Sequence, residues 1–175
     1  MVTEIAVLPV ILMGVSFFRR GKAGSSTAES ACSPSGCGEM NLPDEAKESL
    51  KILRENGIGF LTAEQLHQRL ISGAPPILLD VLDTDSYREL HIKGSINIPH
   101  DQIEQWASRV IPDMNAEVVV YCASYSCPAS VEAGKALRRL GYTNVHDFKG
   151  GMKEWIAGKY AVEGYKAKGH KAKVA

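Results

Sequence analysis

The chain has 175 residues and a mass of 19.0 kDa, which fits one folded domain with some additional chain. Hydrophobic residues make up 45% and charged residues 23%, which excludes a chain disordered throughout. The formal net charge is zero, which argues against a protein that holds nucleic acid through phosphate contacts. The 4 cysteines are too few for a disulfide scaffold, but they leave room for a metal site, a redox pair or a nucleophile.

An apolar segment opens the chain. Residues 5–18 carry no charge, Glu4 precedes them, and Arg19 and Arg20 follow. As a helix this segment would span about 21 Å, which is short of the hydrocarbon core of about 30 Å. The charge order is also unlike that of a cleaved signal peptide. Residues 1–20 therefore have two interpretations, a membrane anchor or an added strand or helix, and in both we expect a cytoplasmic protein.

Two further segments lie outside the expected core. Residues 21–56 are interpreted as a linker followed by a helix, and the linker carries Cys32 and Cys37. Their C-x4-C spacing differs from the C-x2-C pairs of most zinc sites, so we predict exposed thiols, with a sulfur acceptor or redox pair as the alternative. Residues 164–175 form a basic tail that is predicted to be solvated, with a weak contact to anionic lipid or an acidic partner as the alternative.

Helical and strand patterns alternate between the linker and the tail. The predicted helices cover residues 43–56, 62–71, 83–90, 102–111, 128–140 and 152–157, and the predicted strands cover residues 77–81, 95–98, 118–122 and 144–148. Thr62–Gln65 matches a capping box, and Ile77–Val81 is an apolar run typical of a strand buried on both faces. In the fourth helix, Ile103, Trp106 and Val110 are predicted to face the core. This alternation predicts an α/β fold, a single domain whose central parallel sheet has helices on both faces.

Cys122 is the strongest candidate for a catalytic side chain. It ends a predicted strand, and parallel sheets bind ligands beyond the carboxyl ends of their strands. The loop after it leads to Pro128, which can begin a helix, so backbone N–H groups and the positive helix end should face the space inside the loop. We therefore expect the pKa of Cys122 to be lowered and its thiolate to be nucleophilic. The alternative is a small buried cysteine that ends a core strand.

Three motifs around Cys122 resemble the rhodanese family. They are DVLDTDSYRELHIKGSINIP at residues 80–99, VVYC at 119–122 and GGMKEW at 150–155. In the first motif the matching positions are Asp80, Tyr87, His91, Ile92, Gly94, Asn97, Ile98 and Pro99. The chain is thus similar to rhodanese-like domains over about 61–163, and we place the domain at 57–163.

The resemblance implies a sulfurtransferase in which Cys122 carries sulfane sulfur as a persulfide. A small sulfur compound would be the donor, and a thiol, cyanide or a protein would be the acceptor. It implies that no metal or organic cofactor is required, and the zero net charge adds that no nucleic acid is expected as a partner. The expected substrate-binding loop consists of Ala123, Ser124, Tyr125, Ser126 and Cys127. Asp80 and His91 are expected to support the site through hydrogen bonds rather than to act as bases.

The loop also departs from the family pattern. CASYSC carries no charge, whereas family members that use thiosulfate typically have Arg or Lys in this loop. Leu82 stands where the family often has Arg, and Tyr125 replaces a frequent Gly. We therefore expect a persulfide, polysulfide or protein donor rather than thiosulfate. Pro128 stands where related phosphatases need Arg to hold phosphate, which argues against phosphatase activity.

Cys127 introduces a second thiol next to the start of a helix, where its pKa could also be lowered. One interpretation is a resolving thiol that attacks the Cys122 persulfide, releases sulfide and leaves a disulfide. The other is a small side chain that fills the base of the loop. Two alternatives to a sulfurtransferase therefore stay open: a dithiol redox protein that uses both cysteines, and a rhodanese-like binding module with little turnover.

Overall fold

The apolar runs of the sequence form the strands of a parallel sheet. The computed structural model describes residues 44–170 and 172. The strands are β1 (Gly59–Phe60), β2 (Ile77–Asp80), β3 (His91–Ile92), β4 (Ile96–Asn97), β5 (Val118–Tyr121), β6 (Val145–Phe148) and β7 (Val162–Glu163). Five of them form the sheet, in the order β1-β6-β5-β2-β4, and every neighbouring pair is parallel. β3 and β7 form a separate antiparallel ribbon.

Six α-helices and the short 3-10 helix His100–Gln102 accompany the strands in the described part of the chain. The α-helices are α1 (Asp44–Glu55), α2 (Ala63–Leu70), α3 (Thr84–Glu89), α4 (Ile103–Val110), α5 (Ala129–Arg139) and α6 (Gly151–Ala157). The capping box at the start of α2 is confirmed. The backbone N–H of Gln65 donates to Oγ1 of Thr62 (3.3 Å), and the N–H of Thr62 donates to Oε1 of Gln65 (3.0 Å). The two orphan N–H groups at this helix start are satisfied in the way that the sequence predicts.

The central strand β5 is buried on both faces. Val118, Val120 and Cys122 belong to the core cluster that also takes side chains from α1, α4 and α5. Val119 and Tyr121 belong to the cluster on the other face, which includes side chains of α2 and α6. This alternation follows from the period of two in a strand. The predicted fold class, a central parallel sheet with helices on both faces, is confirmed.

Two expectations for the elements need correction. The strands β1, β3 and β7 were not predicted, because two residues are too short to show a periodic pattern. In α4, Ile103 and Ala107 are buried, but Trp106 and Val110 are 38% and 36% exposed. The guanidinium carbon of Arg109 lies over the exposed Trp106 ring, 5.1 Å from its centroid. The apolar stripe of α4 is therefore narrower than its composition indicates.

Several predicted segments lie outside the described residues, namely the apolar segment 1–20, both linker cysteines and the last residues of the basic tail. Within the part that the structure describes, no helix is long and apolar enough to cross a membrane. The start of the tail lies along the end of α3. Tyr165 N–H donates to the carbonyl of Arg88 (3.1 Å), and Nζ of Lys166 lies 2.6 Å from Oε2 of Glu89. These first tail residues are thus attached to the domain.

Candidate active site

The start of α6 forms the floor of the loop that follows β5. The N–H groups of Met152 and Lys153 donate to the carbonyls of Cys122 and Ala123, both at 2.9 Å. Gly151 makes this approach possible, because a Cβ at its position would lie 2.2 Å from the Cys122 carbonyl oxygen. Its φ of +57° also favours glycine. The Gly-Gly pair of the third sequence motif therefore lets the helix start reach the backbone of the loop.

The loop itself is a tight turn with an exposed rim. Cys127 N–H donates to the carbonyl of Ser124 (3.1 Å), and the hydroxyls of Ser124 and Ser126 are 3.1 Å apart. At the tip, the Tyr125 hydroxyl donates to Oε2 of Glu154 on α6 (2.6 Å). Burial and this carboxylate raise the pKa of the Tyr125 phenol. A cavity of about 430 Å³ opens beside the loop, and its lining consists of Ser124, Tyr125, Ser126, Gly150, Lys153, Glu154 and Ala157.

Cys122 is fully buried beneath this loop. Its Sγ lies 3.5 Å from Oγ of Ser130, 3.5 Å from the Cys127 carbonyl oxygen and 3.8 Å from the Ser124 carbonyl oxygen. The pKa of its thiol is raised, first because the thiol donates a hydrogen bond to the Cys127 sulfur and second because it is buried. The expectation of a lowered pKa at Cys122 is therefore wrong for the resting pair of cysteines. Hydrogen bonds from Ser130 favour the thiolate of Cys122, but they are outweighed by the bond to Cys127 and by burial.

Cys127 has the environment that the sequence predicted for Cys122. It is partly exposed, and the hydrogen bond from the Cys122 thiol lowers its pKa to about 5, with further help from the N–H groups of Ala129 and Ala123 and from the charge of Lys149. Nζ of Lys149, which is itself 1% exposed, donates to the Cys127 carbonyl. The thiolate of the pair therefore rests on Cys127, at the start of α5, where the positive helix end favours an anion.

A buried carboxylate, that of Asp147, lies on the strand next to β5. Asp147 on β6 is 0% exposed, and burial raises its pKa to about 7, although the charge of Lys149 and the Ser130 hydroxyl oppose this shift. Within the described residues, neither carboxylate oxygen of Asp147 has a regular hydrogen-bond partner. Ser130 is also 0% exposed and contacts Cys122. The site thus contains three polar groups that the motifs alone did not identify.

Asp80 and His91 lie at other parts of the same end of the sheet. Oδ1 of Asp80 accepts a hydrogen bond from the Leu82 N–H (2.9 Å), and burial raises the pKa of this carboxyl. Nδ1 of His91 lies 2.7 Å from the carbonyl oxygen of Tyr87, and the two rings stack with centroids 3.8 Å apart. These contacts order the turns after β2 and α3. They are the type of contact expected from supporting residues.

The sequence analysis missed Ser130, Asp147, Lys149 and Glu154 as parts of the site. Asp147 and Lys149 flank the last residue of a predicted buried strand, and charged side chains at such a position were the available signal. Ser130 and Glu154 lie in first turns of helices and carry no comparable signal. Among the residues that the structure describes, no group of three or more His, Cys, Asp or Glu side chains could hold a metal ion.

Comparison with known proteins assigns the family. The family model described as "Rhodanese-like domain" matches residues 62–158, which is more than half of the chain. The chain therefore belongs to the rhodanese-like domain family, in agreement with the sequence motifs and with the fold.

The relatives include sulfurtransferases. The chain is 34% identical over 76 residues to thiosulfate sulfurtransferase PspE of Escherichia coli (strain K12), covering 43% of this chain and 70% of that protein. It is 29% identical over 92 residues to thiosulfate:glutathione sulfurtransferase of Saccharomyces cerevisiae, covering 46% of this chain and 65% of that protein. Among solved structures, the Alr3790 protein from Anabaena sp. matches with a TM-score of 0.54 and 28% identity, covering 59% of this chain and 91% of that one.

Proposed function

We propose that this protein is a sulfurtransferase that moves sulfane sulfur through a persulfide on Cys122. The observation that carries the proposal is the position of Cys122. It follows the central strand β5, at the end of the family's second motif, and the loop above it is held by the start of α6. Its location at the carboxyl end of a parallel strand is where such sheets place their chemistry. The names of the bacterial and yeast relatives support the same reaction class.

The reaction has two half-steps. In the first, the Cys122 thiolate attacks the outer sulfur of the donor, the bond from that sulfur to the rest of the donor breaks, and the remainder leaves with the electron pair. Cys122 then holds a persulfide. In the second, an acceptor nucleophile attacks the outer sulfur, the S–S bond breaks, and Cys122 leaves as a thiolate. The protein is unchanged after both steps and needs no oxidant.

The cavity beside the loop is the proposed entry for donor and acceptor. Its lining combines serine hydroxyls, the Tyr125 ring and one Lys–Glu pair of α6, Lys153 and Glu154. A small thiol or persulfide can be held there by hydrogen bonds and by the ammonium group of Lys153. Because the loop itself is uncharged, we expect a persulfide or polysulfide donor to react faster than thiosulfate, which two relatives have in their names.

A second function is favoured by the lowered pKa of Cys127. Its thiolate can attack the inner sulfur of the Cys122 persulfide, so that the outer sulfur leaves as hydrosulfide and a Cys122–Cys127 disulfide forms. The two thiols are oxidised and the sulfane sulfur is reduced, which balances the electrons. An external thiol would then reduce the disulfide. The protein would release sulfide from sulfane donors and would consume two thiols in each cycle.

The two functions separate in one set of assays on the full chain. Wild type, Cys122→Ser, Cys127→Ser and the control Cys32→Ser/Cys37→Ser are given glutathione persulfide or thiosulfate, with cyanide as acceptor, and thiocyanate and sulfide are measured. We expect the rate of thiocyanate formation to be at least about a hundredfold lower in Cys122→Ser than in wild type. Cys127→Ser should keep that activity and lose disulfide-linked sulfide release. Full thiocyanate formation by Cys122→Ser would overturn the proposal.

A further inference from the structure

The thiol of Cys122 is closed off from solvent in this structure. The residue is 0% exposed. Its Sγ lies 3.8 Å from the carbonyl oxygen of Ser124 and 3.5 Å from that of Cys127, both in the loop that covers it, and 3.5 Å from Oγ of Ser130. A thiolate attacks a donor only when the two reacting atoms are in contact. The loop must therefore move before any reagent can react at Cys122.

The two ends of the loop are held by backbone contacts and by a buried side chain. At the beginning, the carbonyls of Cys122 and Ala123 accept hydrogen bonds from the start of α6, both at 2.9 Å. At the end, Nζ of the buried Lys149 donates to the carbonyl of Cys127. The part that is left to move is the tip, residues 124–126.

The tip is fastened to the rest of the domain by the Tyr125 hydroxyl, which donates to Oε2 of Glu154 (2.6 Å). Within the described part of the chain, this is the only hydrogen bond from a side chain of residues 124–126 to a residue outside the loop, because the two serine hydroxyls of the tip pair with each other. Glu154 is itself held in place, since its Oε1 accepts from the N–H of Ala63 (3.3 Å) at the start of α2. A hydrogen bond to a carboxylate is stronger than one between neutral groups.

We propose that Tyr125 and Glu154 form a latch that controls access to Cys122. While their hydrogen bond is intact, the loop stays closed over the thiol; when it breaks, the tip can lift. Both side chains line the cavity beside the loop, so a molecule that enters the cavity meets the latch before it reaches Cys122. Tyr125 is a positioning residue that acts through the loop. The consequence for sulfur transfer rests on the proposed function, because donor and acceptor each need an open loop.

The test measures the exposure of the Cys122 thiol by alkylation with iodoacetamide at one fixed pH. Every chain is full-length and carries Cys127→Ser, so that the second thiol of the site does not react first. Tyr125→Phe removes the hydroxyl of the latch and keeps the ring. Tyr165→Phe is the matched control, because it removes a hydroxyl that donates to another glutamate, Glu89 (2.9 Å), in the tail. Peptide mass spectrometry follows the alkylated fraction of Cys122 with time.

We expect Tyr125→Phe to raise the alkylation rate of Cys122 at least about threefold, because the thiol reacts only while the loop is open. Tyr165→Phe should leave the rate unchanged. Glu154→Gln keeps an acceptor without the charge and should give a smaller increase. Added to Tyr125→Phe, Glu154→Gln should have no further effect, since both substitutions weaken the same hydrogen bond. An unchanged or lower rate in Tyr125→Phe would overturn the proposal, and so would independent effects of the two substitutions.

Hydrogen exchange separates an opened latch from a general loss of stability. In chains that keep Cys127, its N–H donates to the carbonyl of Ser124 (3.1 Å), and this amide should exchange faster in Tyr125→Phe. The amides of β5 and β6 should keep their exchange rates, and faster exchange in these strands would overturn the proposal. If Tyr125→Phe does not fold, the rates of Glu154→Gln decide. None of these measurements needs turnover, so the sulfurtransferase proposal can fail separately.

Discussion

Two cysteines five positions apart differ in acidity because their hydrogen bonds run in opposite directions. Cys122 donates to the Cys127 sulfur and is buried, which outweighs the hydrogen bonds from Ser130 that favour its thiolate, whereas Cys127 accepts from the Cys122 thiol and from the N–H groups of Ala123 and Ala129. A donated bond stabilises the thiol and an accepted bond stabilises the thiolate. The more exposed cysteine is therefore the stronger acid, and the buried one needs a base before it can react.

This difference predicts that Cys127 is the fast-reacting thiol of the resting protein. Alkylation by iodoacetamide at Cys127 should have a midpoint near pH 5, well below the value of about 8.5 for a free cysteine. Cys122→Ala should raise this midpoint, because the largest stabilising hydrogen bond is lost. Peptide mass spectrometry across pH 4–9 measures both midpoints. A Cys127 midpoint near 8 in the wild type would contradict the arrangement.

Asp147 predicts a pH dependence of stability. Its folded-state pKa of about 7 lies above that of the unfolded chain, so between about pH 4 and 7 the folded state holds a proton that the unfolded chain has released. The free energy of unfolding therefore falls as the pH rises through this window, by at most about 1.4 kcal/mol per pH unit. Asp147→Asn removes the effect and should gain stability relative to wild type between pH 4.5 and 7.5. Urea titrations at both pH values measure the difference.

The exposed carboxylate of Asp101 provides the control for this experiment. Asp101 lies in the short 3-10 turn before α4, and Asp101→Asn removes the same charge from a solvated position. Its stability relative to wild type should change little between the two pH values. A stability difference for Asp147→Asn that is equally independent of pH would show that Asp147 does not hold a proton in the folded state.

The sequence could locate the thiols but not assign their acidities. Cys122 was predictable because it ends an apolar run that a known motif follows, and Cys127 because it precedes a helix-starting proline. The acidities of the two thiols depend on Ser130, which contacts Cys122, and on Lys149, which contacts Cys127, and these residues reach the site only when α5 and the end of β6 pack beside the loop. Such contacts between distant segments leave no periodic pattern in the chain.

At the scale of elements, the periodic segments were predicted closely and the short ones were not. All six helices were expected within two residues of their bounds in the structure, because capping signals, glycines and prolines define their ends. The ribbon strands β3 and β7 were missed, since a two-residue strand depends on its partner rather than on its own pattern. The four-residue parallel strands position the site around Cys122, and the ribbon of β3 and β7 packs beside the sheet.

The contact between α6 and the loop gives an element-scale prediction. In Gly151→Ala the added Cβ would lie 2.2 Å from the Cys122 carbonyl oxygen and 2.8 Å from the Ala123 carbonyl carbon, so the loop and the helix must separate. Gly94→Ala is the matched control, because Gly94 also has a positive φ, +81°, but nothing lies within 4 Å of its Cβ position. Both variants carry the backbone strain of about 1–2 kcal/mol, and Gly151→Ala alone carries the clash.

We therefore expect Gly94→Ala to lose about 1–2 kcal/mol of stability and keep sulfur transfer. Gly151→Ala should lose more stability and at least about tenfold of the transfer rate, because the hydrogen bonds from α6 to the loop are broken. Denaturant unfolding and the thiocyanate assay measure the two effects. Equal behaviour of the two variants would mean that the close approach of α6 does not position the loop.

At the scale of the whole molecule, one hydroxyl connects the sheet to the ribbon. The Tyr121 hydroxyl, at the end of β5, accepts a hydrogen bond from the Ile92 N–H (3.0 Å) and lies 2.9 Å from Oγ of Ser95. Ile92 pairs with Val162 in the antiparallel ribbon. The segment that follows α6 is therefore tied back to the strand that carries Cys122. The formal net charge of the whole chain, which is zero, gives no information about this end of the domain, because the chemistry there depends on local hydrogen bonds.

The ribbon predicts where the chain can be shortened. The Ala161 carbonyl accepts hydrogen bonds from Nε1 of Trp155 (2.9 Å) and from the Lys93 N–H (3.2 Å). A chain that stops after Tyr160 loses this acceptor and β7. The N–H of Trp155, whose side chain is 2% exposed, is then left without its partner, which costs about 1–3 kcal/mol of stability. The loss of burial at Ile92 adds to this cost. A chain that stops after Ala167 keeps both contacts and is the control.

The shorter chain should therefore unfold at a lower denaturant concentration, and its Trp155 fluorescence should shift to longer wavelength as water reaches the ring. Sulfur transfer should fall with it, because Trp155 anchors α6 and α6 holds the loop of Cys122. Trp106 is exposed in both chains and contributes the same background signal. Equal stability of the two chains would mean that the ribbon is dispensable and that the five-stranded sheet supports the site without it.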